Sequence, residues 1–173
     1  MKLFTTLILL INIIYAHPHT FIEVYPTIIV KDNNTEKIDF IWKLDEMTSS
    51  MLIMEFDSNQ NGKLDKEEQS FVYENYFTPL IDYNFYTDIT VNDKIQKFPK
   101  PTNFNSFIEN NRLCYSFTIK ENINTKNTLF DFGDTDFFVA MILKKEFVSI
   151  KGAKAIVSDL DNDFYFGYRL EFK

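Results

Sequence analysis

Apolar and polar residues alternate along most of this chain, and the stretch where that period of two breaks carries its chemistry. Residues 17–30, HPHTFIEVYPTIIV, read as a strand with Ile22 and Val24 on one face and Phe21, Glu23 and Tyr25 on the other. KDNNT at 31–35 is a turn. In the second strand, 36–44, Ile38, Phe40, Trp42 and Leu44 alternate with polar residues and define a buried face, so the two strands predict a hairpin. The period then changes to that of a helix over 46–56, with Asp45 as its cap and Met47, Met51, Leu52 and Met54 at helical spacing. These methionines are read as core packing, with a soft-metal thioether site as the alternative. A second helix is predicted over 66–81, with Phe71, Tyr76 and Leu80 among its apolar positions and Pro79 near its end.

From Phe85 onward the alternation returns. Strands are predicted at 85–91, 95–98, 113–120, 128–132, 137–143, 147–150, 153–157 and 164–172. Asn92-Asp93-Lys94 and Asn110-Asn111 are turn signals, and Pro99 and Pro101 stop the short strand before them. Many short strands without intervening helices predict a mainly β fold. The expected architecture is an antiparallel β-sandwich, one domain over 17–173, carrying one inserted EF-hand-like helix-loop-helix at 46–81.

The break between the two predicted helices reads DSNQNGKLDKEE, and it fills every position of the twelve-residue calcium loop of an EF-hand. Side-chain oxygens fall at Asp57, Asn59 and Asn61, Gly62 supplies the sharp turn, and Lys63 offers its backbone carbonyl. Leu64 is the apolar eighth residue. Asp65 binds directly or through water, and Glu68 closes the cage with two oxygens, a ligand list that suits Ca²⁺ better than the tighter octahedron of Mg²⁺. Only one such loop is present, which argues for a structural ion rather than a paired sensor. The competing reading is a polar loop between two helices.

The remaining chain ends and charges narrow the class further. Residues 1–16 read as a secretory signal, with Lys2 as the charge, an apolar run at 3–14 too short to span a bilayer, and Ala16 at the cleavage point. Ile14 is larger than the residue usual three places before cleavage, so retention as an anchor is the alternative. Composition is rich in Phe (19) and Tyr (9) and poor in Gly (4), which favours strands over a glycine-rich nucleotide site. A net charge of −7 without a basic run argues against nucleic acid and anionic membranes and favours cations. Cys114 has no partner for a disulfide and reads as inert filling in a strand.

Both histidines, His17 and His19, flank Pro18 at the expected mature terminus. Cleavage would give His17 an α-amine and an imidazole on one residue, with His19 adding a third nitrogen, a set suited to Ni²⁺, Co²⁺, Zn²⁺ or Cu²⁺. Pro18 has no N–H to ionise, so the square-planar mode that uses backbone amides is blocked. A polar leader at a frayed end is the alternative. Further ligands would have to be acidic, from Asp45, Glu46, Asp131, Asp134 or Asp136, although caps and turns account for such residues more readily. Asp159, Asp161 and Asp163 alternate like calcium ligands but lack the glycine and terminal Glu, and they read as a loop between strands. No histidine remains for a Ser or Cys triad and no phosphate-binding glycine loop occurs, so no enzyme is expected.

The order AHPHTFIEV, FIWKLDEMTSSM, the calcium-like loop and YENYFTPL resembles a bacterial periplasmic family, domain of unknown function 1007, described as periplasmic components of metal transport systems. Family segments correspond to residues 16–19, 42–49, 57–68, 76–78 and 134–138. Leu44 stands where the family has an aromatic, and Thr135, Asp136, Phe137 and Phe138 stand for Pro, Thr, Tyr and Tyr. The resemblance implies a periplasmic accessory to a nickel/cobalt or zinc transporter of the inner membrane. Together these observations predict a soluble exported metal-binding protein with a structural calcium loop. The second reading is a non-catalytic adaptor that docks a transporter and holds only Ca²⁺, and a copper oxidase ranks last because it needs another histidine.

Overall fold

In the computed structural model, which describes residues 19–161 and 166–173, the chain begins with the expected hairpin. Strands β1 (Thr20–Lys31) and β2 (Asn34–Leu44) pair antiparallel around Asp32 and Asn33, whose φ angles of 50° and 60° make the mirror-image turn that matches strand twist. Ile22, Val24, Ile28, Ile38, Phe40, Trp42 and Leu44 face inward and are buried. Helices α1 (Glu46–Phe56) and α2 (Lys66–Val72) follow, then a π turn (Tyr73–Phe77) and a 3-10 stretch (Thr78–Tyr86).

The rest of the chain is strand: β3 (Thr87–Val91), β4 (Lys94–Gln96), β5 (Thr102–Glu109), β6 (Arg112–Ile119), β7 (Thr128–Gly133), β8 (Val139–Ile142), β9 (Ser149–Lys151), β10 (Ala155–Asp161) and β11 (Phe166–Phe172). Two sheets result. The first has the order β5-β6-β2-β1-β8, with β9 also on β1, and the second has β10-β11-β7-β3-β4. The fold is therefore mainly β, two sheets with a helical insertion, but the antiparallel expectation needs correction. Both β8 and β9 run parallel to β1. The chain changes sheets between β7 and β8, so β8 is free of the reversal a hairpin imposes, and β9 continues past the 3-10 turn Lys145–Phe147 along the same edge of β1.

The sheets meet through aromatic side chains. Phe40 of β2 lies 6.5 Å from Phe132 of β7 between ring centroids, and Trp42 and Phe117 pack edge to face at 5.1 Å. Phe77 enters the same core from the helical insertion, 4.2 Å from Phe104 and 5.1 Å from Phe117, and so pins the insertion to the first sheet. Gly152, at the end of β9, has φ of 88°, and a Cβ there would sit 1.9 Å from the Val30 carbonyl oxygen, so the β9–β1 approach requires glycine.

Several local expectations are corrected. Regular helix ends at Val72 rather than near residue 81, because the N–H of residue 79 is absent in proline and Phe77 must turn into the core. Asn84, Phe85 and Tyr86 then take left-handed φ angles of 51°, 51° and 49°, although strand was expected from Phe85, and β3 starts at Thr87. Asp159 and Asp161 lie within β10, opposite Tyr168 and Phe166, rather than in a loop; Asp163 falls outside the described residues. Strand β5 had no expectation at all. Met47, Met51 and Met54 are not core: they are 64%, 57% and 81% exposed, because Ser49, Leu52, Ile53 and Phe56 form the inward face of α1.

Candidate functional site

The helical insertion leaves the first sheet at a corner made by Asp45 and Ser49. One Asp45 oxygen accepts from the Thr48 N–H (2.9 Å), as a helix cap does, while the other accepts from the Phe21 N–H of β1 (2.9 Å) and the Thr48 hydroxyl (2.8 Å). Burial opposes ionisation of Asp45, but these donors together outweigh it and hold the carboxyl below the usual range. Ser49 is fully buried; its hydroxyl donates to the Leu44 carbonyl and accepts from the Leu113 N–H. Arg112 completes the corner, donating to the Leu44 and Lys43 carbonyls and to Glu23. The segment 42–49 thus acts as a hinge post between strand and helix. Asp45 and Ser49 in it are committed to backbone groups of β1, β2, β6 and α1.

Between α1 and α2 the residues 57–68 form a hydrogen-bonded loop that runs into the first turn of α2. Asp57 caps the C-terminus of α1 through its N–H to Ile53, Gly62 takes φ of 77°, and α2 starts at the tenth loop position. The Asp57 oxygens accept from the N–H groups of Asn61 (3.0 Å) and Gly62 (2.8 Å), and Asn59 and Asn61 accept from the N–H groups two residues on. These bonds aim the side-chain oxygens into the loop and leave each with a free lone pair. Glu68 reaches back across the loop. One oxygen accepts from the Ser58 N–H and hydroxyl, both at 2.9 Å, and the other from the Asp65 N–H at 3.0 Å. Asp65 answers by accepting from the Glu67 and Glu68 N–H groups, a reciprocal capping box.

Asp57 and Glu68 are both buried. The Asp65 N–H contributes most to keeping the Glu68 carboxyl below its ordinary range, burial works against it, and the Ser58 donors add to the depression. A cation seated in the loop would replace the Ser58 donors on Glu68 while leaving the Asp57 bonds intact, so the donor set fits a hard ion held by oxygen. Lys63 is at the loop's outer turn with its N–H held by Asn61. Among the described residues, no three His, Cys, Asp or Glu side chains are grouped as a metal site.

The second expected site is only partly described. His17 lies outside the described residues. His19 precedes β1, donates its N–H to the Phe138 carbonyl (2.9 Å), and stacks its ring against Phe138 at 6.3 Å. The acidic candidates are mostly engaged elsewhere. Asp134 is buried and accepts from the N–H groups of Asp136, Phe138 and Val139, which shapes the turn before β8. Asp131 holds Arg169 through two bonds of 2.6 and 2.7 Å. Glu46 and Asp136 are exposed. Tyr86 lies by this turn; burial, then the charges of Asp134, Tyr83 and Asp136, push its hydroxyl up to about 12. Sequence reasoning missed Ser49 and Arg112, whose roles depend on contacts between distant strands.

These features define a two-sheet β protein with a helix-loop-helix inserted after its second strand and an oxygen-lined loop in the insertion. Over residues 3–159 the chain matches the model of a family described as a protein of unknown function, DUF1007, and it belongs to that family. It is 30% identical over 111 residues to an uncharacterized protein of Haemophilus influenzae, covering 61% of this chain and 50% of that one. It is also 30% identical over 97 residues to an uncharacterized 15.5 kDa protein in the trpE 3′ region of Spirochaeta aurantia, covering 54% of this chain and 69% of that one. The chain thus spans about half the length of the first of these relatives. No solved structure matches it. No helix among the described residues is long and apolar enough to cross a membrane.

Proposed function

We propose that this protein is an exported, non-catalytic accessory of transition-metal transport whose inserted helix-loop-helix is an EF-hand-like unit stabilised by Ca²⁺. The observation that carries the reading is the loop itself, where Asp57 and Glu68 bury their carboxylates at its two ends around the left-handed Gly62. Burying carboxylates costs free energy that a bound cation would offset. Calcium bound through Asp57, Asn59, Asn61, the Lys63 carbonyl, Asp65 and Glu68 supplies that compensation. His17 and His19 would take the cargo, Ni²⁺, Co²⁺, Zn²⁺ or Cu²⁺, at a terminus freed by cleavage after Ala16, and an inner-membrane transporter would be the partner.

The test uses the chain from His17 with its natural free amine. An ion bound only by the folded state stabilises by RT ln(1 + [L]/Kd), about 2.7 kcal/mol at a hundredfold excess over Kd. Millimolar Ca²⁺ should raise the melting temperature, and Glu68→Gln should remove most of the rise. An unchanged melting temperature in the natural chain would sink the calcium part. The histidine part stands or falls separately, on loss of Ni²⁺ or Zn²⁺ binding in His17→Ala/His19→Ala.

A further inference from the structure

Helix α1 sorts its large apolar side chains by chemistry. Leu52, Ile53 and Phe56 turn toward the core, whereas Met47, Met51 and Met54 all face water. Spacings of four and three residues place these methionines one above another on a single face, so each is a direct neighbour of the next. Three of the chain's five methionines are on this stripe, while Met141 is buried in the ordinary way. Scattered apolar residues on a surface need no explanation, but a contiguous stripe opposite a helix's buried face does.

We propose that Met47, Met51 and Met54 form a binding site for a soft monovalent cation, Cu(I) or its analogue Ag(I), held by three thioether sulfurs. The site is separate from the terminal histidines and from the calcium loop. Thioether sulfur selects Cu(I) over the harder divalent ions, and the flexible methionine side chain lets sulfurs from two successive turns converge on one ion. Surroundings favour a cation. The sequence of α1, EMTSSMLIMEF, contains no Lys or Arg, and Glu46 and Glu55 lie at its two ends. Methionine also tolerates an oxidising compartment better than a thiol pair would, since it forms no disulfide. The buried Cys114 does not compete, because it is inaccessible and burial pushes its thiol up.

The experiment is an anaerobic Cu(I) competition against bicinchoninate, with ascorbate as reductant, on the chain from His17, which carries every described element. The natural protein should withdraw a single equivalent of Cu(I) from the probe, with sulfur neighbours in the copper X-ray absorption spectrum. Met47→Leu/Met51→Leu/Met54→Leu keeps the apolar surface and removes only the sulfurs, so it should fold alike and lose that equivalent. Met51→Leu alone removes the central ligand and should weaken it. His17→Ala/His19→Ala should retain the step, which separates this site from the terminal one. Retention of the full step by the triple leucine variant, or no withdrawal of Cu(I) by the natural chain, overturns the proposal and leaves the stripe as an apolar contact surface.

Discussion

Replacing Ser49 by Ala removes one oxygen atom, and the structure fixes what that should cost. Ser49 Oγ accepts from the Leu113 N–H at 2.9 Å and donates to the Leu44 carbonyl at 3.2 Å, and both Ser49 and Leu113 are fully buried. The Leu44 carbonyl keeps a second donor, Arg112 Nε at 2.6 Å, so it is not orphaned. The Leu113 N–H loses its bond to the hydroxyl without gaining water. A buried donor left unmade costs about 1–3 kcal/mol, and the cavity from one missing oxygen adds little. We expect a loss of about 2 kcal/mol, which for a chain of this size lowers the melting temperature by about 4–8 °C. Urea denaturation followed by fluorescence of Trp42, the sole and buried tryptophan, measures it directly. Ser50→Ala, one residue on and exposed, is the control and should stay within about 0.5 kcal/mol. If Ser49→Ala is as mild as the control with an unchanged urea slope, the corner is not what anchors α1.

Acid should destabilise the protein through Asp45 and Glu68. Both are held below their ordinary values of 3.8 and 4.5, so their contributions are complete above about pH 4.5 and fade as pH falls through the depressed folded values. Urea stability measured from neutral pH downward should drop in that window, and Asp45→Asn should flatten part of the drop. Gly152→Ala should cost about 2 kcal/mol or more by urea melt, since φ of 88° and a 1.9 Å approach to the Val30 carbonyl both exclude a Cβ; a neutral result would mean that β9 shifts freely. Cys114, buried and with its thiol pushed up, should resist a disulfide reagent at pH 8 in the native protein and react on unfolding.

The first hairpin, α1 and the loop were legible because each is specified by adjacent residues. The two-residue period set β1 and β2, Asp45 set the start of α1, and Asp-Asn and Asn-Asn pairs marked the turns at 32–33 and 110–111. What failed depends on distant contacts. The methionines carry helical periodicity, but periodicity does not say which face meets the sheet, and Ser49's bonds to Leu44 and Leu113 decide that. Phe85 and Tyr86, in the left-handed run at 84–86, look like strand in sequence. There the Asn84 side chain binds the Thr87 carbonyl, Asp88 and the Phe98 N–H, and Phe85 packs on Phe77 and Phe98, which together outweigh the local preference of Phe and Tyr. Parallel pairing of β8 with β1 likewise follows from the crossing between sheets, and β9 continues along β1 in the same direction after the 3-10 turn Lys145–Phe147.

A short helix such as α1 is marginal alone, so its geometry must be supplied from outside. In this chain the segments on either side of it supply it. Residues 42–49 tie its start to both β1 and β6, and the loop 57–68 turns its end back on itself. Tyr76 and Phe77 then clamp the insertion, Tyr76 against Phe56 at 4.5 Å and Glu55, Phe77 in the aromatic core. Residues 134–138 shape the turn that delivers β8 to β1, beside His19. These segments therefore act as fasteners more than as a ready metal cradle, and the surfaces left free for chemistry are those the fasteners hold in place. They are the loop 57–68 at one end of α1, the methionine face along it, and His19 near its start. Removing a fastener should disturb all three together, whereas Glu68→Gln, the methionine-to-leucine changes and the histidine substitutions should each disturb one.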